Sequence, residues 1–383
     1  MFKSSIYIVA AATLFITSCK KKSNTAADPE PITSTPCTKT IVNISTDITS
    51  PTVWDACHIY VITVNQISVT SSLMIEPGVT VKFRDIVSDN AILVSNAGSI
   101  NAIGTIEKPI VFTSYKDDVN DGDSNGDGAA TLPARGDWGG IILNSNNCIF
   151  KHCKFLYGGE GPSAGVGQPS LEFSSYYGVI DNCTFANCGG ESTYNGYGVV
   201  DARNCHNTNF SITNSIFYGC IKPLFLNPFL SIDNSNTFHN PADLLQKNDL
   251  NGIFITNEAN EATTNVSWLE TEVPFVLSGS LYVGDGLKLI LAQNVIIKVS
   301  DLPAAGFNKI SIREGISSID GYNLPGVIFT SYHDDAIGGD TNGNGNATSP
   351  TSNDWYGIQD ISATIATNNY CYAWSNILYR KFP

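Results

Sequence analysis

Methionine is nearly absent from these 383 residues, with two in all, and positive charge is scarce: 21 Lys and Arg stand against 35 Asp and Glu, a formal net charge of −14. So few cations argue against nucleic acid as a partner, because neutralising phosphates needs clustered Lys and Arg. Cations and neutral glycans remain compatible partners. The apolar run near the N-terminus has about a dozen residues, too few to span a bilayer, and nothing later resembles a membrane segment. A convincing helical period is missing too, apart from a weak window at "NPADLLQKND". Charged residues make up only 15% and hydrophobic ones 42%, which suits a folded chain rather than a disordered one. With 33 glycines and 17 prolines, that chain is rich in turns.

The opening "MFKSSIYIVAAATLFITSCKKKS" reads as a signal segment over residues 1–18. It ends in Ile16-Thr17-Ser18-Cys19, which resembles a bacterial lipobox; there the thiol of Cys19 would take a diacylglycerol, and acyl chains would anchor the chain to a membrane. The plainer alternative is an ordinary cleaved signal with an incidental cysteine. Residues 19–36 form a polar tether containing Pro and Thr.

One long pattern occurs twice. "FTSYKDDVNDGDSNGDGAAT" begins at Phe112, and "FTSYHDDAIGGDTNGNGNAT" begins at Phe329, 217 positions later. Asp137-Trp138 matches Asp354-Trp355 without a gap, "PGVTVKF" faces "QNVIIKV", Trp54 faces Trp268, and "CKFLY" ending at Tyr157 faces "SNILY" ending at Tyr379. A module therefore covers roughly 54–157 and again, in part, 268–383. Segments such as "ISVTSSLMIEPGVTVKF" and "AILVSNAGSINAIGT" alternate with period two and are β-branched, which predicts short strands. Between the modules, over about 158–267, a finer repeat runs through cysteine-bearing coils. "CIFKHC" around Phe150, "CTFANC" around Phe185 and "SIFYGC" around Phe217 superpose, with "NTFHN" around Phe238 as a degenerate copy. On that alignment Cys153, Cys188 and Cys220 each follow a phenylalanine by three. Recurrence at this length is the sign of a solenoid.

"LMIEPGVTVKF", "GSINAIGTIEKPIVFTS" and "GDWGGIIL" resemble the right-handed parallel β-helix proteins of the pectate-lyase-like fold. The likeness is strongest to extracytoplasmic β-helix lipoproteins of the kind common in Bacteroidetes. It implies an all-β solenoid over 37–383 with an N-terminal cap, a column of ten to twelve coils roughly 50 Å long. It implies no single activity, since such folds carry lyases, glycan hydrolases, adhesins and inert scaffolds alike. Cys37 and Cys57 either close a loop that staples the cap or stand as unrelated thiols. Chain ending at "NILYRKFP" leaves two ways to cover the last coil, a fold-back of the terminal residues or a partner.

The twin loops are candidate calcium sites. Asp123, Asn125, Asp127 and Gly128, and likewise Asp340, Asn342, Asn344 and Gly345, fit the opening of a calcium loop; Asp117, Asp118, Asp121, Asp334 and Asp335 are further oxygen donors. The bidentate Glu of an EF-hand is absent, since Ala134 and Thr351 stand there, and a plain Asn/Asp/Gly turn is the competing reading. The buried-thiol reading of Cys148, Cys153, Cys183, Cys188 and Cys220 is small hydrophobes in two stacked columns. A lyase would need a base near calcium, for which Lys116, Arg135 and Lys151 are the candidates. Glycan or protein binding points instead to Tyr- and Gly-rich insertions bearing Tyr157, Glu160, Tyr176, Tyr177, Glu191, Tyr194 and Tyr197, whose aromatic faces suit sugar rings. The expectation is a cell-envelope lipoprotein, in the outer membrane at the surface or periplasmic face, displaying loops for binding. The alternative is a polysaccharide lyase or glycan hydrolase.

Overall fold

The computed structural model describes residues 37–381, except 85–90, 96, 160–167, 175–177, 190–196, 206–208, 257–263, 302–307, 363–369 and 373. The chain divides into two compact units, Met1–Thr38 and Lys39–Pro383. Of the first, only Cys37 and Thr38 are described; the second is built of stacked β-strands, with no helix among the described residues.

One stretch shows how a coil is made. "ISVTSSLMIEPGVTVKF" yields the strands Gln66–Val69, Ser72–Ile75 and Thr80–Phe83, and each joins a different sheet, of ten, six and seven described strands respectively. Period-two alternation turns Ile67, Val69, Leu73, Ile75, Val81 and Phe83 inward, where none is more than 1% exposed. A lone coil would leave that set in water, so each coil is stable only beneath the next. Parallel pairing keeps a one-to-one register down the ten-stranded sheet. Ile67, Ile92, Ile141, Leu171, Val200, Leu224, Ile253, Phe275, Ile297 and Phe329 follow one another as partners and are all wholly buried. The described unit is a parallel β-helix.

The seven-stranded sheet carries an aromatic column, which Phe238, beside the Thr237 bridge to Ile216, extends past the last strand. Phe112, Phe155, Phe185, Phe217 and Phe238 stack with centroid steps of 4.9, 4.6, 5.0 and 5.5 Å and near-parallel rings. Those steps are close to the strand spacing, so the backbone register itself sets the ring contacts. This corrects the sequence alignment: Phe155, not Phe150, is the partner of Phe185, while Phe150 pairs with Ile180 in the six-stranded sheet. The slip has a geometric cause. One residue with positive φ turns the chain from the six- to the seven-stranded sheet, namely His152, Asn182 and Asn214 in successive coils. A one-residue corner lets two strands read as a single repeat. Cys153 and Cys183 follow that corner, whereas Cys188 and Cys220 follow the next one, after Asn187 and Gly219. There are thus two thiol columns, but their membership differs from the alignment. Cys148, Cys153, Cys183, Cys188, Cys205 and Cys220 are all buried thiols outside any disulfide, and Cys183, Cys188 and Cys220 donate to backbone carbonyls of the coil before at 3.3–3.4 Å.

The second module does not stack on its own first copy. Strand Ile110–Ser114, which precedes the first acidic loop, lies in the seven-stranded sheet; its counterpart Ile328–Ser331 lies in the ten-stranded sheet. The second module is therefore shifted by one sheet, and the two loops leave different sheets rather than one side at two heights. The weak helical window is also corrected: His239–Asn240 and Asp243–Lys247 pair as an antiparallel ribbon. Its Leu244 and Leu245 are exposed and reach no core, so nothing drives a helix there. At the far end, Tyr370–Cys371 pairs antiparallel with Gly357–Asp360, while Ile377 bridges to Phe329 and Arg380 to Trp355. The terminal residues described thus lie on the last strands, which is the fold-back alternative.

Candidate functional site in the twin acidic loops

Alternation in Thr80–Phe83 points Lys82 away from the coil interior, yet its side chain is wholly buried. The first acidic loop lies over it. Lys82 Nζ donates to the carbonyls of Asp117 and Gly122, each at 2.7 Å. The neighbouring strand places Thr113 beside Lys82, and Thr113 Oγ1 donates to Asp117 Oδ2 at 2.6 Å. The second copy repeats this: Lys298 is beside Thr330, Lys298 Nζ donates to the Gly339 carbonyl, and Thr330 Oγ1 donates to Asp334 Oδ2 at 2.6 Å. Further out, Asp123 accepts the amides of Gly126 (2.6 Å) and Gly128 (2.8 Å), and Asp340 accepts those of Gly343 and Gly345, both at 2.7 Å. All four glycines have φ near +70°, which turns their N–H groups toward the carboxylate. Each loop closes the same way. Asp137 accepts from Ser114 and the Ala134 amide, Asp354 from Ser331 and the Thr351 amide, and Trp138 and Trp355 donate to the carbonyls of Leu156 and Leu378 at 2.8 Å.

The two lysines are the feature that sequence reasoning missed. The signal was present, since "TVKF" and "IIKV" put a cation at the same place in two otherwise apolar strands. Burial pushes the Lys82 ammonium down, opposed by Asp117, Asp118, Asp121 and Asp123. Burial pushes Lys298 down to about 8, opposed by Asp335, Asp334 and Asp340.

The proposed ligand set divides. In the first loop, carboxylate oxygens of Asp118, Asp123 and Asp127 lie within 4.8 Å of one another. Asp118 Oδ1 is buried with no hydrogen-bond partner, and burial followed by the charges of Asp123 and Asp127 raises the Asp118 carboxyl above its usual range. That is a donor set suited to a hard divalent cation. Asp117 is instead enclosed by Thr113, the amides of Val119 and Asn120 and the Asn120 side chain. Asp121 pairs with Lys39 at 2.5 Å. Asn125 turns inward on the loop, bonding Asp127 and Thr131. In the second loop Asp335 has both oxygens buried and unpartnered, but Asn344 stands where the first loop has Asp127, and Asn342 donates to the Tyr332 carbonyl. The second site thus has one carboxylate fewer.

The three candidate bases are not brought together. Lys116 sits on Asp137 at 3.0 Å, and Arg135 forks on Asp249 at 2.6 and 3.2 Å. Lys151 lies in the six-stranded sheet, 3.7 Å from Asp181. Among the proposed binding residues, Tyr157 occupies a positive-φ corner, and burial and then Asp117 raise its hydroxyl. Tyr197 is 39% exposed and covers the Arg203 guanidinium, 4.7 Å from its ring centroid. Arg203 also forks on the buried Asp201 and lies over Phe225, and Lys222 lies over Phe225 and Phe254. This outward row, with Glu172, Asp201, Phe225 and Phe254 in register on the ten-stranded sheet, was illegible because "VDA", "LFL" and "IFI" read as uniformly buried triplets. Cys37 and Cys57 are both disulfide-bonded. Cys19, Glu160, Tyr176, Tyr177, Glu191 and Tyr194 lie outside the described residues.

The lysines generate a pH prediction. The folded chain holds Lys298 near 8 while the unfolded chain holds it near 10.5, so the unfolded state binds more protons between these values. Stability must then rise with pH across that window, and the burial penalty is fully present below it. Relative to Lys298→Met, the wild type should gain on the order of 3 kcal/mol between the two pH limits in urea unfolding. A difference that stays flat across the window contradicts the buried charge.

Residues 46–168 match the family model described as a pectate-lyase like beta helix domain. No curated protein and no solved structure matches the chain. The matched span holds the first module's strands, the buried Lys82 and the whole first acidic loop, and over it the chain is similar to the pectate-lyase-like β-helix family.

Proposed function

We propose that this chain is a cell-envelope lipoprotein, held to a membrane through acyl chains on Cys19, whose β-helix is a scaffold presenting rigid loops for binding a glycan or an envelope protein. What supports a scaffold over a catalyst is the use to which the loop carboxylates are put. Asp117, Asp123 and Asp137, and Asp334, Asp340 and Asp354, hold equivalent backbone and hydroxyl groups in both copies, the amides of Asn120 and Ile337 among them. A network written twice for shape is what a display loop needs. The basic side chains a lyase would use as bases are each engaged by a carboxylate. Among the described residues no helix is long and apolar enough to cross a membrane.

Two readouts test this. Purified chain incubated with acidic and neutral polysaccharides should produce neither unsaturated ends, seen by ultraviolet absorbance, nor new reducing ends; turnover abolished by Lys116→Ala or Arg135→Ala would establish the lyase reading instead. In cells, Cys19→Ser should move the chain from the membrane to the soluble fraction. A variant that stays in the membrane fraction would remove the lipid anchor.

Calcium belongs to the first loop in this reading, held by Asp118, Asp123 and Asp127. A divalent charge there would offset the burial, and the repulsion from Asp123 and Asp127, that raise the Asp118 carboxyl, and would add to what the Lys82 ammonium supplies. Saturating calcium should raise the melting temperature of the wild type, since a ligand at about 100 times its Kd adds about 2.7 kcal/mol. Asp118→Asn should lose that shift, and in chelator it should melt at or above the wild type because it removes like charge. A wild type indifferent to calcium would leave lysine as the cation the first loop depends on.

A further inference from the structure

The last coils carry a second group of features that neither acidic loop explains. Tyr322, in the turn after Ser318–Asp320, stacks on Trp374 with ring centroids 3.6 Å apart and planes within 16°. Tyr372 lies against the same indole, 4.7 Å away and tilted by 34°. The three rings are only partly buried. The Tyr322–Trp374 stack forms a shared wall between two hollows, of about 370 Å³ and about 580 Å³. Both sizes fall within the range of small-molecule sites.

Three of the polar groups around these hollows offer acceptor oxygens, Glu314 and Asp320 in the smaller and Asn376 in the larger. Glu314 is exposed at the rim of the smaller hollow. Asn376 lines the larger one and gives both amide hydrogens to the carbonyls of Tyr322 and Val327, which turns its side-chain oxygen to other donors. Asp320, also in the smaller hollow, is paired with Lys288 at 2.8 Å and accepts from the Ser318 hydroxyl. Burial and the charges of Glu314 and Asp360 push the Tyr372 hydroxyl up to about 12, so it stays a neutral hydrogen-bond donor at any ordinary pH.

We infer that this stack is a binding site for a neutral pyranose glycan, with the ring surfaces that the stack leaves open taking the apolar side of the sugars and Glu314 and Asn376 accepting from their hydroxyls. The assignment rests on the reading of the chain as a binding scaffold and adds where a glycan sits and of what kind. Two adjoining hollows divided by one aromatic wall suit an oligosaccharide of at least two units rather than a single sugar. Uronic or sulfated polymers are disfavoured at the smaller hollow, because an anion there would meet Glu314 while Lys288 is committed to Asp320 and Arg313 to Asp285; the nearby Arg380 donates to the Trp374 and Ile377 carbonyls. An acceptor-rich, aromatic-walled hollow selects for hydroxyl donors.

The test is affinity electrophoresis of the purified chain in gels containing mannan, dextran, xyloglucan or a β-glucan, with polygalacturonate as the acidic control. At least one neutral polymer should retard the wild type and polygalacturonate should not. Trp374→Ala and Tyr322→Ala should each weaken retardation roughly tenfold or more, the loss typical of a buried aromatic anchor, and Trp374→Phe should keep most of it. Should the alanine variants fail to fold, Glu314→Ala decides. It removes an exposed side chain, and it should weaken binding several-fold at unchanged melting temperature. Retardation by no neutral polymer, or stronger retardation by polygalacturonate, overturns the inference. Neutral binding that survives all these substitutions removes this site and leaves the scaffold reading standing. Glycan retained by the stack but then cleaved removes the scaffold reading and leaves the site.

Discussion

Everything in the described unit depends on register. Each coil repeats its strands at the same height as the one below, so what pairs inward also pairs outward. Inward, this stacks ten wholly buried aliphatic and aromatic residues in one sheet and, in another, four phenylalanines that Phe238 continues past the last strand. Outward, the same geometry sets Lys82 beside Thr113 and Lys298 beside Thr330, and lines up Asp201, Phe225 and Phe254. The core thereby decides where surface chemistry can assemble.

The acidic loops follow from that outward row. A strand that emerges from the column with a lysine on its outer face must cover an ammonium that cannot stay buried alone. The loop meets this by bringing carbonyls and then carboxylates over it, first Asp117 and Gly122, then Asp118, Asp121 and Asp123. Charge of the loop and charge of the strand are one unit. This accounts for why the chain carries "VKF" or "IKV" whenever it carries the loop, even though the second copy emerges from a different sheet.

Much of this was legible before any coordinates. Period-two alternation in "ISVTSSLMIEPGVTVKF" marks three strands, and matched Asp-Trp and Tyr positions mark the duplication; Tyr157 and Tyr379 do occupy the same positive-φ corner. What escaped had physical reasons. Corners of a single residue hide the boundary between two short strands, so Phe150 was taken for a rung that belongs to Phe155. Periodicity states that a strand has two faces but not which sheet it joins, and the one-sheet shift of the second module is invisible to it. An outward residue under a loop is as buried as an inward one, which disguised Lys82, Phe225 and Phe254 as core or as errors in the pattern. The acidic motif was read correctly as oxygen-rich. Which oxygens are engaged by the loop itself depends on amides supplied by glycines several residues away, and spacing alone does not reveal that.

Hydrogen exchange followed by mass spectrometry tests the central claim most directly, namely that these long loops are fixed parts of the stacked column rather than surface chain. The amides of Val119, Gly126 and Gly128, and of Gly343 and Gly345, should exchange slowly, approaching the strands beneath them. Lys82→Met should release the first group alone, and Lys298→Met the second alone. Loop amides that exchange at the rate of unstructured chain in the wild type would contradict the account.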